Sequence, residues 1–482
     1  MGGTGPMSEE MMVRDLLALL PEAALATSAV LGLLLGSFLP RTRQWPVRLL
    51  AAAGAVTALV LTVRVWNEEA RTLFDGSYGI DVGTNAIRVI VAVSLLLLLT
   101  LSLPVTRSAA RESEFVVLMT LAGVGAVLLA GANDLLILIC AYLLASIPLY
   151  ALTAFGKDSP GTEAALKFYL FGALFGTTML FGATLVFGAG GATDYPALTE
   201  SASAAPRVAL ALGAVAVLGG LLFKAGALPA HFWVPDVAQG TRPEIAAFVT
   251  TIPKLGAVVA IYRLCATVLD AGDLDWRILV AVIAAATMTL GNFGAFFQSD
   301  VRRLLGYSTI GQVGFLLVGV AAAGASDMAL SSVLFYLAAY ALTNLGAFAV
   351  VCALPRRRAI ADYTGLLHAR PGVLVALVIC LLGLVGTPPT AVFVGKLTVL
   401  TAAFDAGLGW LVILAILNSV ASLFYYLRWI VPALRGEPAA AADDPSPAAP
   451  RIVAYVTAAG SLVLGVLAGP ILNALETTQL AR

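Results

Sequence analysis

The sequence predicts an all-α polytopic membrane protein with about 14 transmembrane helices, and three observations carry that prediction. Of the 482 residues, 60% are hydrophobic and 12% charged, with a mean hydropathy of +0.95; a water-soluble domain is about 45–50% apolar and about 25% charged. Apolar runs of roughly 18 residues or more recur along nearly the whole length, each enough to cross a hydrocarbon core of about 30 Å as a helix. No stretch between them is long enough to form a soluble domain of useful size. Formal net charge is zero, so the lipid bilayer is the partner that composition implies, with no nucleic acid and no polybasic lipid-binding patch.

The first run, 16–38, follows MGGTGPMSEEMMVRD, where Glu9, Glu10 and Asp15 stand against Arg14. A removed signal peptide has a basic start and a small-residue cleavage site, so this run is expected to stay as span 1. Spans 2 and 3, at 46–65 and 85–104, complete an N-terminal three-helix segment, 1–109. Spans 4 to 8, at 115–132, 135–154, 163–188, 206–228 and 243–267, form a first five-helix repeat, 110–270. Spans 9 to 13, at 277–297, 303–323, 330–353, 372–401 and 408–431, form a second, 271–433, inverted relative to the first. A linker and span 14, at 452–475, occupy 434–482. The repeat rests on three similar offsets: 172 residues from Lys224 to Lys396, 167 from Phe168 to Phe335 and 166 from Asp134 to Asp300.

Arginines concentrate in the loops after spans 1, 3, 9, 11 and 13, from Arg41 and Arg43 through Arg302, Arg303 and Arg356 to Arg435. The intervening loops lean acidic through Glu68, Glu69, Asp75, Asp81, Asp194, Glu200, Asp270, Asp273 and Asp275. Basic loops face the cytoplasm, which predicts a multi-pass protein of the cell (inner or plasma) membrane with both termini outside the cytoplasm. Cys140, Cys265, Cys352 and Cys380 stand singly in apolar runs without a CxxC pair, so neither a metal nor an iron–sulfur site is expected. The GAGGA stretch at 188–192 follows a span rather than opening a βαβ unit, and is no nucleotide loop.

Lysine usage carries the functional signal. Only five of the 28 basic residues are lysines, and of these Lys167, Lys224, Lys254 and Lys396 fall inside predicted spans. Arginine stays charged under essentially all conditions, whereas a desolvated lysine can give up its proton. A charged group at the bilayer centre costs about 2.5–3.5 kcal/mol even on insertion scales, so a buried lysine is a candidate functional group. The competing reading is a side chain snorkelling from a helix end, and it is strongest for Lys167, close to the start of span 6.

Two of these lysines sit beside predicted helix breaks. Pro229 follows Lys224 in FKAGALPAHFWVPD, and Gly386, Pro388 and Pro389 precede Lys396 in GLVGTPPTAVFVGK. Unwound backbone inside a membrane is tolerated only against protein or a wet cavity, so paired breaks point to a transport site. His231 lies just past the first break, between Lys224 and Lys254, and is a candidate relay; His368 lies in a basic loop. Ser308, Thr309, Gln312, Tyr340 and Asn344 are candidate supports of a water chain, alongside Asn292, Asn418 and Ser419. Such residues also serve as ordinary interhelical hydrogen-bond groups.

In order, FKAGALPAHFWVPDVAQG, PEIAAFVTTIPKLGAVVAIYRL, SDVRRLLGYSTIGQVGFLLVG, FYLAAYALTNLGAFAVV and GTPPTAVFVGK resemble the antiporter-like membrane subunits of NADH-quinone oxidoreductase, complex I. The resemblance covers roughly residues 110–430; LLPEAAL near Glu22 and NSVASLFYYLR around Tyr425 are most similar to the subunit N branch. It implies proton translocation through a central axis of buried residues, with Lys224, Lys254 and Lys396 as the lysines of spans 7, 8 and 12. It also implies other membrane-arm subunits as partners, and NADH, FMN, iron–sulfur clusters and quinone held by partner subunits rather than by this chain.

One position departs from that pattern. Three residues before the Ser of SxPLY the family carries a glutamate that pairs with the span-7 lysine; here Leu143 stands three before Ser146. Gln312 stands where subunit N often has histidine. Two mechanisms therefore remain open, a path that conducts without that carboxylate and a diverged paralogue that completes the membrane arm while pumping weakly. A multi-subunit Mrp-type cation/proton antiporter, a membrane subunit of a related hydrogenase and a structural scaffold are the alternative assignments.

Overall fold

The computed structural model describes residues 9–107, 110–272, 274–436, 446–476 and 480–481; the first eight residues, Asp273 and linker residues 437–445 lie outside them. Thirteen helices among the described residues are long and apolar enough to cross a membrane. They fall on thirteen of the fourteen predicted runs, including Leu20–Phe38, Val82–Leu101 and Glu112–Gly131 for spans 1, 3 and 4. Trp276–Phe296, Val301–Ala321 and Ala329–Ala353 form spans 9 to 11. The remaining run, span 12, is divided into Pro371–Val385 and Ala391–Asp405.

The loops after spans 5, 7, 9 and 11 meet at one end of the bundle, where Asp158, Arg242, Asp300 and Arg358 line one cavity. Those after spans 4, 6 and 8 meet at the other end, beside Asn133, Glu200 and Asp270. Aspartates begin several helices by accepting from their free first-turn N–H groups. Asp134 accepts from Leu136 and Ile137 at the start of span 5, and Asp300 from Arg302 and Arg303 at the start of span 10.

Four features go beyond what the sequence pattern shows. A short antiparallel hairpin, Arg71–Leu73 with Tyr78–Ile80, fills the loop between spans 2 and 3. Span 5 is two helices, Leu135–Leu144 and Ile147–Thr153, because Pro148 offers no N–H to the Leu144 carbonyl. Span 7 does not end at 228: after Arg207–Ala225 and an unwound stretch it resumes as Trp233–Gly240. Arginine, finally, is not confined to loops. Arg88 and Arg263 are buried inside spans 3 and 8, each held by a carboxylate, Glu22 and Asp81 respectively, at 2.7 Å.

Burial places the centre of the molecule. The most apolar windows of spans 8, 10 and 11 are 100%, 94% and 89% buried, against 28% for span 6 and 33% for spans 1, 13 and 14. Polar groups within those stretches of spans 8, 10 and 11 are therefore largely enclosed by protein.

Candidate proton path

Lys224 lies in the last turn of Arg207–Ala225, which stops at Gly226, whose φ of +79° a side chain would strain. Its ammonium is 1% exposed and donates to the Ala145 carbonyl at 3.0 Å and to the Ser146 hydroxyl. The break in span 5 makes that carbonyl available, since the Leu149 N–H turns to Ser146 O instead. Lys224 Nζ also stands 5.0 Å from the Tyr142 ring centre. Leu143 is 42% exposed, and among the described residues no carboxylate forms an ion pair with Lys224.

Lys254 follows Pro253, which withdraws one backbone donor from the middle of the span-8 helix. The side chain is wholly buried, and its Nζ makes no hydrogen bond among the described residues. It lies 5.3 Å from the Trp233 ring centre, within cation–π range. A Cβ on Gly226 would come within 3.6 Å of Lys254 Nζ, so the break in span 7 is where the first two lysines approach. His231 is buried in the same break, its ring centre 4.4 Å from that of Phe232.

Lys396 repeats the arrangement at the second break. Its Nζ donates to the Leu384 and Val385 carbonyls at 3.1 and 2.8 Å and to Ser419 Oγ at 3.3 Å. Those carbonyls are the last of Pro371–Val385, left without helical donors by the turn at Gly386. Gly386 has φ of +91°, and a Cβ there would lie 2.9 Å from Lys396 Cδ.

Hydroxyl and amide groups on spans 8, 10 and 11 lie between the two breaks. One turn before Lys254, Thr250 and Thr251 accept from Asn344 Nδ2 at 3.1 and 2.9 Å. Tyr340 donates to the Thr250 carbonyl at 2.6 Å and lies 3.2 Å from Thr309 Oγ1. Gln312, one turn beyond Thr309, donates to the same Leu384 carbonyl that Lys396 uses, at 2.8 Å, and accepts from Tyr336 at 2.5 Å. Ser308 bonds Tyr426 alongside.

The structure thus brings together Lys254, Lys396, Thr309, Gln312, Tyr340 and Asn344, with Lys224 and His231 at the span-7 break. It does not bring Lys167 to them. That ammonium is 44% exposed and pairs with Glu163 at 2.8 Å and Asp236 at 3.2 Å. Thr250, Thr251, Tyr336 and Tyr426 were missed, because a hydroxyl or tyrosine in an apolar helix reads equally well as packing. The 172-residue step between Lys224 and Lys396 is not the spacing of the breaks: Gly226 and Gly386 are 160 apart, as are Pro229 and Pro389, so Lys224 precedes its break and Lys396 follows it.

Residues 132–422 match the family described as NADH:quinone oxidoreductase/Mrp antiporter, transmembrane region. NADH-quinone oxidoreductase subunit N 1 of Streptomyces griseus subsp. griseus is 52% identical, over 96% of this chain and 98% of that one. Subunit N of a Mycobacterium species is 47% identical, over 96% and 99%. A chain of respiratory complex I from Thermus thermophilus superposes with a TM-score of 0.82 at 30% identity, covering 95% of this chain and all of that one.

Proposed function

The chain belongs to the subunit N family of NADH-quinone oxidoreductase, and on that premise we propose that it is a proton-translocating, antiporter-like subunit in the membrane arm of such a complex. In this reading it packs against other membrane-arm subunits in the cell membrane, and electron transfer from NADH to quinone in neighbouring chains drives its proton movement. NADH, FMN, iron–sulfur clusters and quinone belong to those neighbours. The end of the bundle bearing Arg242, Arg302, Arg303 and Arg358 faces the cytoplasm, as basic loops do.

One observation carries the proton reading: three lysines, 1%, 0% and 4% exposed, lie at two helix breaks with hydroxyl, amide and carbonyl groups of spans 8, 10, 11 and 12 between them. No carboxylate pairs with any of them among the described residues. Lysine can alternate between charged and neutral forms as arginine cannot. Lys224 and Lys254 exchange a proton across the span-7 break, with His231 as intermediary, and Tyr340, Thr309 and Gln312 conduct between Lys254 and Lys396. Two inverted five-helix repeats would place one of the two glycine–proline breaks, those of spans 7 and 12, in each half; the matching aspartate caps of spans 5 and 10 support that division.

A second reading, a diverged subunit that completes the arm and pumps weakly, is favoured by Leu143 and by the uncharged cradle of Lys224. One experiment addresses both. In vesicles carrying the assembled complex, Lys254→Ala should cut proton pumping by roughly 100-fold, the lower range for loss of a positioned proton-transfer group, while NADH oxidation by a soluble acceptor continues. Pumping unaltered by the substitution refutes the path, and wild-type vesicles that barely pump favour the second reading. Copurification with small antiporter subunits alone, without a quinone-reducing assembly, would point to the Mrp type instead.

A further inference from the structure

Glu244 has no role in the path above, yet its position asks for one. It is the second residue of the span-8 helix Pro243–Leu264 and is only 7% exposed. Other buried glutamates have an arginine partner: Glu22 pairs with Arg88 and Glu112 with Arg48. Glu244 has no ion pair among the described residues and is met by its own backbone N–H. The charges facing it are Arg242, its near neighbour in sequence, and Arg302 of span 10; Cys352 of span 11 is the other titratable group beside it. Arg302 is already committed to the Thr241 carbonyl, at 2.7 Å.

Those same two arginines line a cavity of about 460 Å³ at the arginine-rich end of the bundle, with Asp158, Lys167, Asp236 and Arg303. Asp236, one of the carboxylates lining that cavity, is bound there by Arg303 at 2.6 Å and Lys167 at 3.2 Å, and Glu244 lies one residue inward of its lining residue Pro243. Inward from Glu244, Thr251 follows seven residues along the same helix. Seven residues are about two turns, some 10 Å of rise, and return to within about 20° of the same face. Thr251 is the hydroxyl held by Asn344, one turn before Lys254.

We propose that Glu244 is the proton-loading carboxylate of the path: it takes a proton from water reaching it from the neighbouring arginine-lined cavity and passes it, along a chain of several waters to the Thr251 hydroxyl, to the neutral amine of Lys254. The carboxylate becomes the acid and is regenerated when the proton leaves, and Lys254 becomes the ammonium. This rests on the proton-translocating reading above, and it supplies from span 8 a carboxylate that span 5 lacks.

The test uses the assembled complex in vesicles, with E244Q, T251V and Lys254→Ala compared from pH 6 to pH 8. E244Q should slow pumping roughly tenfold at pH 8, less than the full effect of removing a positioned proton donor because water can still load the path directly, and less at pH 6, where protons are more plentiful. T251V, nearly isosteric, should show the same pH-dependent deficit, and it decides the matter if E244Q fails to assemble. Wild-type pumping at pH 8 in E244Q, or in T251V, overturns the proposal. If Lys254→Ala loses pumping in the same experiment, only the intake route falls; if it too pumps normally, the reading beneath it falls as well.

Discussion

At the scale of the residue, what distinguishes a functional cation here is what holds it. Arg88 and Arg263 are buried as deeply as the lysines, but each has a carboxylate at 2.7 Å and so a permanent charge with a permanent partner. Lys396 has only carbonyls and one hydroxyl, ligands that bind an ammonium and that leave a neutral amine tolerable. Lys396→Arg should therefore fail as completely as Lys396→Ala, because guanidinium keeps its charge and cannot pass a proton on. The measurement is the initial rate of pumping by vesicles of equal NADH-oxidising capacity; an arginine variant pumping at even half the wild-type rate would mean that Lys396 supplies charge rather than a transferable proton. The lysines themselves were legible, since each is a lone charge in an apolar run. Tyr336 and Thr251 were not, because the sequence gives a bridging hydroxyl and a packing residue the same appearance, and only the partner across the helix interface tells them apart.

At the scale of the element, three spans are broken, and the sequence disclosed two of them. Gly and Pro cluster at 226–229 and 386–389, whereas the single Pro148 follows a full helical run and leaves that run looking continuous. Yet the span-5 break matters as much, since it presents the Ala145 carbonyl to Lys224. Pro148→Ala returns an N–H to the chain and lets the helix close through residues 144–149, drawing that carbonyl back into the backbone ladder. Proline costs about 3 kcal/mol relative to alanine inside a helix but little in a first turn, where Pro148 sits, so any gain in stability should stay well below that figure. It should nonetheless pump more slowly. Thermal denaturation of the purified complex and vesicle pumping, measured together, decide the matter: a variant that is both more stable and fully active would show that the break is incidental to Lys224.

At the scale of the whole molecule, the path runs through the three helices most enclosed by protein, and the N-terminal spans pack outside it as a buttress. Their attachment uses buried ion pairs: Glu22 with Arg88 within the segment, and Asp81, at the start of span 3, with Arg263 on span 8. Composition foretold the bilayer and the number of crossings, but pairing across 182 positions of sequence, as between Asp81 and Arg263, leaves no local mark. Removing one member of a buried pair strands the other and costs about 3–5 kcal/mol. Arg263→Met should fall at the low end of that range, because Asp81 would still accept from the Thr84 and Ala481 N–H groups at 3.0 and 2.9 Å. Arg263 lies about 13 Å beyond Lys254 along span 8, on the side away from Thr250 and Thr251. The assembled fraction of Arg263→Met complex should therefore denature at a lower temperature while pumping at the wild-type rate per complex. If pumping falls and thermal stability does not, the Asp81–Arg263 pair is a segment of the proton path rather than a fastening for the N-terminal helices.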